Sequence, residues 1–201
     1  HHAVLDVVDW LAAHEGAEPV LVPVDDDGRV DLAAWGAALA TAPERTALAT
    51  LMWANNEIGT VQPVAEAARL AADHGVPLHT DAVQAFGHID VNPAELGVDL
   101  ISISAHKIGG PVGIGALWVR RGVNLAPITA GGMQQAQVRS GTQAVMLARG
   151  FAAAARQAVE NLDRDRAQWQ TWHDAIVAEV GGLPGVHVDD GHRLGAVDDE
   201  R

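Results

Sequence analysis

A lysine lies where an apolar segment of the chain gives way to a glycine-rich one. Ser104, His106 and Lys107 directly follow the apolar run at 100–103, and glycines occupy positions 109, 110, 113 and 115. A free lysine titrates near ~10.4, but burial in a cleft lowers that value and lets the amine form a Schiff base. Hydroxyl and imidazole donors beside a glycine-rich loop suit a phosphate group. These residue types predict a nucleophilic Lys107 beside a phosphate site formed by Ser104 and His106.

Polar residues also follow two other apolar segments. Asn55 and Asn56 follow the segment 46–53, and Asp81, with Gln84 three residues later, ends the segment 76–81. Ligands of open parallel sheets bind beyond the carboxyl ends of the strands, so we expect an amide, a carboxylate and the lysine to converge there. A carboxylate opposite a protonated ring nitrogen keeps a pyridine ring cationic, which makes the ring an electron sink. Together these groups predict a site for pyridoxal 5′-phosphate (PLP).

Simpler interpretations exist for each of these residues taken alone. A lysine after a strand is commonly a solvated loop residue, and an aspartate such as Asp81 commonly caps a helix. The glycine-rich segment does not fit the dinucleotide pattern G-x-G-x-x-G. A metal site at His79, Asp81, His88 and His106 lacks the usual paired spacing, so we predict no metal. The tryptophans at 10, 35, 53, 118, 169 and 172 are predicted to lie in the core.

Apolar periodicity predicts an alternation of helices and strands. Helices are expected near 4–16, 31–40, 64–74 and 144–180, with a short helix starting at 92–93, and strands are expected at 19–24, 46–53, 76–81, 99–104, 115–121 and 185–188. This order is typical of an α/β fold with a mostly parallel sheet flanked by helices. Because both faces of such a sheet are covered, we expect nearly continuous apolar strands.

Composition excludes some classes of function. The formal net charge of −13 argues against nucleic-acid binding as the main role. No apolar run reaches the roughly 18 residues of a membrane span, so we expect no membrane partner. The chain has no cysteine, which excludes disulfides and thiolate metal sites within it and is compatible with the predicted cytoplasmic location.

Five motifs, in this order and spacing, carry a family resemblance: "HHAVLD", "NNEIGTVQP", "HTDAVQAFG", "SAHKIGGPVGIGALWVRR" and "RSGTQ". Over about residues 1–190 they resemble the cysteine desulfurases, which are PLP enzymes of the class-V aminotransferase group, and "NNEIG" with "RSGT" resembles the NifS/IscS-like branch. The resemblance implies the fold-type I large domain over 1–180 and the start of a small C-terminal domain over 181–201. It also implies that the chain covers about half of a desulfurase.

The resemblance implies a role for each site residue. Lys107 would bind PLP as a Schiff base and shuttle protons, with help from His1, which would stack on the pyridine ring. The remaining roles are Asp81 at the ring nitrogen, Gln84 and Asn56 near the phenolic oxygen, Ser104 and His106 at the phosphate, and Thr142 at the phosphate of a neighbouring subunit. Since Thr142 would act across subunits, the resemblance implies a homodimer.

The implied activity converts L-cysteine to L-alanine and passes the sulfur as a persulfide to an Fe–S scaffold or another sulfur-acceptor protein. The persulfide-forming cysteine, the carboxylate-binding arginine and an N-terminal phosphate-binding segment of the family do not occur in these 201 residues, so we expect this chain alone to be inactive as a sulfur donor. A selenocysteine lyase, another class-V aminotransferase and a non-catalytic remnant of the fold remain alternatives.

Overall fold

The computed structural model describes residues 1–132, 134–186 and 188. Its α-helices are α1 (His2–Glu15), α2 (Leu32–Thr41), α3 (Val64–Asp73), α4 (Pro93–Leu96) and α5 (Val145–Val180). Its strands are β1 (Ala49–Met52), β2 (Leu78–Asp81), β3 (Leu100–Ser104) and β4 (Gly115–Val119). Short 3₁₀ helices cover Pro43–Arg45, Ala105–Ile108 and Gln135–Gln137. No helix in the described part of the chain is both long and apolar enough to cross a membrane.

The four strands form one sheet in the order β1-β2-β3-β4. The first three strands run parallel, while β4 pairs antiparallel with β3, from Leu100 opposite Val119 to Ser104 opposite Gly115. This arrangement confirms the predicted α/β fold with a mostly parallel sheet.

The two faces of the sheet differ in polarity. Side chains alternate between faces along a strand. One face carries Leu78 and Ile101, which belong to a buried cluster with α2 and α3 residues. The opposite face carries a polar row, namely Thr50, His79, Asp81, Ser102 and Ser104. The expectation of nearly continuous apolar strands was therefore wrong, because half of the strand positions belong to this polar face.

Several helix ends follow local sequence signals. The Asp31 carboxylate accepts hydrogen bonds from the amides of Ala33 and Ala34 and so caps α2. Gly16 ends α1 with φ 72°, a left-handed conformation that glycine adopts without steric cost. These ends agree with the sequence prediction because capping depends on residues only a few positions apart.

One predicted strand did not form, and a second lies partly outside the described residues. Residues 19–24 contribute only an isolated antiparallel bridge between Val24 and Val30. Pro19 and Pro23 lack the amide hydrogen that a strand needs for pairing, which explains this failure. Gly185, Val186 and Val188 lie in no strand, and the rest of the stretch 185–188 lies outside the described residues.

The core prediction for the tryptophans holds only in part. Trp35 and Trp53 are buried, at 6% and 7% exposure, whereas Trp10 and Trp172 are 51% and 57% exposed. Helix α1 has no buried residue, although its apolar side chains share a helical face. Periodicity predicts which face of a helix is apolar, but it does not show whether another described element covers that face.

Candidate active site

The strand β3 ends in the segment that holds the lysine. After Ser104 the chain turns into the 3₁₀ helix Ala105–Ile108, and Gly109 follows with φ 77°. The Ser104 hydroxyl lies 2.7 Å from Nδ1 of His106, and the amide of Gly110 donates to the carbonyl of Ala105. Ser104 and His106 are thus together, as expected of two phosphate-binding side chains. Lys107 is exposed and is the only lysine of the chain.

Asp81 ends the neighbouring strand β2 and is only 7% exposed. Its Cα is paired with Met52 on one side and Ser102 on the other. One carboxylate oxygen accepts a hydrogen bond of 3.0 Å from the amide of Val83. No lysine or arginine of the described residues forms an ion pair with this carboxylate. Because a buried carboxylate without a cationic partner is costly, Asp81 suits a cationic ligand atom such as a protonated ring nitrogen.

Asn56 lies in the loop after β1, and this loop is held by contacts that the sequence did not reveal. The Asn55 side-chain oxygen accepts from the amides of Glu57 and Ile58. Thr60 donates to the carbonyl of Asp27, and Gln62 donates to that of Gly28. The loop is therefore anchored to the turn at 25–30, while Asn56 itself stays exposed. Gln84 is half-buried in the turn that follows Asp81.

The structure does not bring His1 to the sheet by any described contact. Its Nδ1 accepts a hydrogen bond of 3.1 Å from the amide of Ala3 at the start of α1. The predicted stacking role of His1 stays a prediction.

Thr142 is exposed in the loop before α5. In this loop Arg139 donates to the carbonyl of Gly141, and the amide of Gly141 donates to Gln134. The non-glycine residues Gln135, Ala136 and Gln137 have φ values of 46°, 54° and 67°, a conformation that disfavours residues with a Cβ. The predicted role of Thr142 in a neighbouring subunit stays a prediction.

Helix α5 packs against the lysine segment through small residues. A Cβ on Gly110 would lie 3.2 Å from Cβ of Ala154, and one on Gly150 would lie 3.1 Å from Cγ of Pro111. Likewise, a Cβ on Gly87 would lie 3.1 Å from Cβ of Ala158. Residues 150, 154 and 158 are four apart, so they form one stripe of α5. The regular spacing of these small residues is visible in the sequence, but it does not reveal which segment packs against them.

A cavity of about 340 Å³ lies beside this contact. Its lining includes Lys107 and His88 together with Asn161, Arg164 and Trp169 of α5, but not Asp81. The cavity therefore does not show whether Lys107 and Asp81 converge, and their convergence stays a prediction.

Two imidazoles near the site have a pKa below the ordinary value. Burial lowers the pKa of His79, and the charge of Asp81 opposes that effect in part. Burial also lowers the pKa of His88, and the backbone carbonyls of Gln84 and Phe86 oppose that effect in part. Nδ1 of His88 is buried and has no hydrogen-bond partner within the described part of the chain, and its ring lies 5.2 Å from that of Trp169. Among the described residues, no group of three or more His, Cys, Asp or Glu is placed to hold a metal.

The donor set fits PLP in two respects. The buried Asp81 carboxylate suits the ring nitrogen, and the paired Ser104 and His106 suit the phosphate. Both groups lie at the carboxyl edge of neighbouring strands, where open α/β sheets bind ligands.

Known proteins resemble this chain over most of its length. The profile of the family "Aminotransferase class-V" matches residues 1–194. An IscS-like cysteine desulfurase of Mycobacterium tuberculosis is 43% identical over 180 residues, covering 90% of this chain and 46% of that protein. The solved structure of a NifS-like protein superposes with a TM-score of 0.90 at 36% identity, covering 97% of this chain and 53% of that one.

A third similar protein was solved as SspA in complex with cysteine, with a TM-score of 0.70, 34% identity and coverage of 78% of this chain and 44% of that one. The chain thus spans about half the length of the curated relatives it matches. Its sheet and helices match those of NifS-like proteins, which confirms the predicted fold. The chain belongs to the class-V aminotransferase family.

Proposed function

We propose that the full-length natural protein containing this chain is a PLP-dependent cysteine desulfurase of the NifS/IscS-like branch. It converts L-cysteine to L-alanine and passes the sulfur, as a persulfide, to an Fe–S scaffold or another acceptor protein. The observation that carries the proposal is that the buried Asp81 carboxylate and the Ser104–His106 pair follow the carboxyl ends of the neighbouring parallel strands β2 and β3. The names of the similar proteins and the cysteine bound to SspA support the reaction and the substrate.

PLP, when bound, supplies an electron sink. In the proposal, Asp81 keeps a proton on the ring nitrogen, and Ser104 and His106 donate hydrogen bonds to the phosphate. The Lys107 amine moves a proton to and from the substrate Cα, assisted by His1. Gln84 and Asn56 bind near the phenolic oxygen, and Thr142 reaches the phosphate site of a second subunit.

The sulfur-accepting thiol of this proposal is not a side chain of this chain, because the 201 residues contain no cysteine. The homodimer implied by Thr142 and the cytoplasmic location both stay predictions.

The first test uses the fact that Lys107 is the only lysine of these residues. Reduction of the PLP-loaded protein with borohydride should fix the cofactor covalently to the peptide that contains Lys107, as read by mass spectrometry. Lys107→Ala should lose both this adduct and the production of alanine from cysteine. Lys107→Arg should lose them equally, because it keeps the positive charge but not the amine that forms the Schiff base.

Two results would overturn the proposal. The first is a protein that binds PLP at another lysine and keeps its activity in Lys107→Ala. The second is a loaded protein that turns over selenocysteine or another amino acid but not cysteine, which would move the assignment to a lyase or an aminotransferase.

A further inference from the structure

A hydrogen-bonded row crosses three strands on the polar face of the sheet. Nδ1 of His79 lies 2.8 Å from the hydroxyl of Thr50 on β1, and Nε2 lies 2.8 Å from the hydroxyl of Ser102 on β3. Both ring nitrogens are thus engaged, which fixes the orientation of the ring from both sides. From the sequence alone His79 was a candidate only for a metal ligand, because its two hydrogen-bond partners lie 29 and 23 positions away.

The row reaches the position of Asp81. His79 and Asp81 are two residues apart in β2, so they share a face, and Ser102 is the register partner of Asp81. Ser102 therefore both bonds His79 and stands across from the carboxylate, in a neighbouring strand about 4.8 Å away. The negative charge of Asp81 favours the protonated form of His79 and so opposes, in part, the lowering of its pKa by burial.

The ring at the centre of the row is neutral near pH 7, because burial dominates and lowers its pKa. A neutral imidazole has one donor and one acceptor nitrogen. A buried anion favours hydrogen-bond dipoles whose positive ends point toward it. This predicts that Thr50 donates to Nδ1 and that Nε2–H donates to Ser102, which leaves the Ser102 hydroxyl hydrogen available on the side of Asp81.

We propose that His79, held between Thr50 and Ser102, is a positioning residue that orients Asp81 toward a cationic ring nitrogen. The inference rests on the proposed function, since that ring nitrogen belongs to PLP. His79 acts through Asp81 and touches neither cofactor nor substrate.

A double-mutant cycle tests this indirect role. His79→Leu should weaken PLP binding by about 3- to 10-fold, which is the value expected for one or two hydrogen bonds. In the Asp81→Asn background the same substitution should have no further effect, since its route of action is gone. Binding is measured by fluorescence titration of the apo full-length protein, and circular dichroism confirms that each variant is folded.

Thr80→Val is the matched control from the same strand. Thr80 lies on the opposite face, and its hydroxyl donates to the carbonyl of Leu51. This variant loses a buried hydrogen bond without touching the row, so it should keep the wild-type affinity for PLP. An equal loss in Thr80→Val and His79→Leu would show general damage to the sheet and overturn the inference.

Nitrogen-15 NMR of the apo protein gives a readout that needs no cofactor. The shifts of His79 should show a proton on Nε2, and Ser102→Ala should shift the Nε2 resonance, whereas Thr80→Val should not. A proton on Nδ1 would overturn the proposed direction of the row. Wild-type affinity in folded His79→Leu, or full additivity with Asp81→Asn, would overturn the inference while leaving the proposed function intact. Failure of the wild-type protein to bind PLP would instead remove the proposed function.

Discussion

At the scale of single residues, the two half-buried imidazoles connect the site to the stability of the fold. His79 bonds Thr50 and Ser102, and His88 packs against Trp169. Burial lowers the pKa of both, so the folded state holds them neutral to a lower pH than the unfolded chain does. Between the folded pKa and the unfolded value of about 6.5, the unfolded state binds more protons. Their contribution to stability is thus present above about pH 6.5 and is lost as the pH falls through the folded pKa.

We expect His88→Gln to weaken this dependence on pH. The wild-type protein should unfold at a lower urea concentration at pH 5.5 than at pH 7.5, because protonation of His79 and His88 favours the unfolded chain. The drop should be smaller in His88→Gln, which removes one of the two groups. His2→Gln, at a ring that is 86% exposed, should keep the full drop. An identical drop in all three proteins would contradict the expectation.

At the scale of elements, the contact between α5 and the lysine segment decides where Lys107 lies. The 3₁₀ helix that holds Lys107 has only four residues, and the stripe Gly150, Ala154 and Ala158 lets α5 approach it closely. Small residues at such a contact act by allowing close packing, so enlarging one of them displaces the neighbour. The position of the lysine therefore depends on a helix that begins nearly forty residues later.

Gly110→Ala tests this contact. Its Cβ would meet the carbonyl oxygen of Ala105 at 2.9 Å and Cβ of Ala154 at 3.2 Å, so we expect a loss of stability of roughly 1–3 kcal/mol. PLP binding should weaken as well, because the segment carrying Lys107 must shift. Both effects are measured by urea unfolding and fluorescence titration.

Gly182→Ala is the control, because no atom of the described residues lies within 4 Å of its added Cβ and its φ lies outside the left-handed region. Its stability should stay within about 0.5 kcal/mol of the wild type. Equal stability of the two variants would show that the packing of α5 does not constrain the loop.

At the scale of the whole molecule, the net charge and the exposed apolar surface have opposite effects on association between copies of the chain. The net charge of −13 opposes association between copies of the chain. Large apolar side chains nevertheless remain exposed on α1 and α5, among them Leu5, Val7, Trp10, Val159, Trp172 and Ile176. Exposed apolar side chains can be buried by association between copies, and the homodimer itself stays a prediction.

We expect the dissolved chain to associate, and more strongly at high salt. Salt screens the repulsion between the negative copies while leaving the burial of apolar surface favourable. Sedimentation velocity at low and high sodium chloride measures this effect. Trp10→Gln and Trp172→Gln should weaken association, whereas Val20→Gln, in the segment before α2, is the control. A monomer at every concentration and salt level would contradict the prediction and the homodimer.

The sequence by itself determined the features that depend on near neighbours. The caps at Asp31 and Gly16, the α/β alternation, and the polar residues at the ends of β2 and β3 all follow from residues a few positions apart. The motifs likewise sufficed to predict the family, because they keep their order and spacing along the chain. The strand at 19–24 failed because its prolines outweighed its apolar pattern.

Only the tertiary structure decided which distant residues meet. It set the antiparallel direction of β4, the bonds of His79 to side chains 29 and 23 positions away, and the packing of Ala154 on Gly110. Sequence periodicity shows which way a side chain points within its own element, but not which strand or helix lies opposite. The partners are set by the packing of the whole sheet and its helices. For that reason the hydrogen-bonded row of Thr50, His79 and Ser102 is visible only in the folded structure.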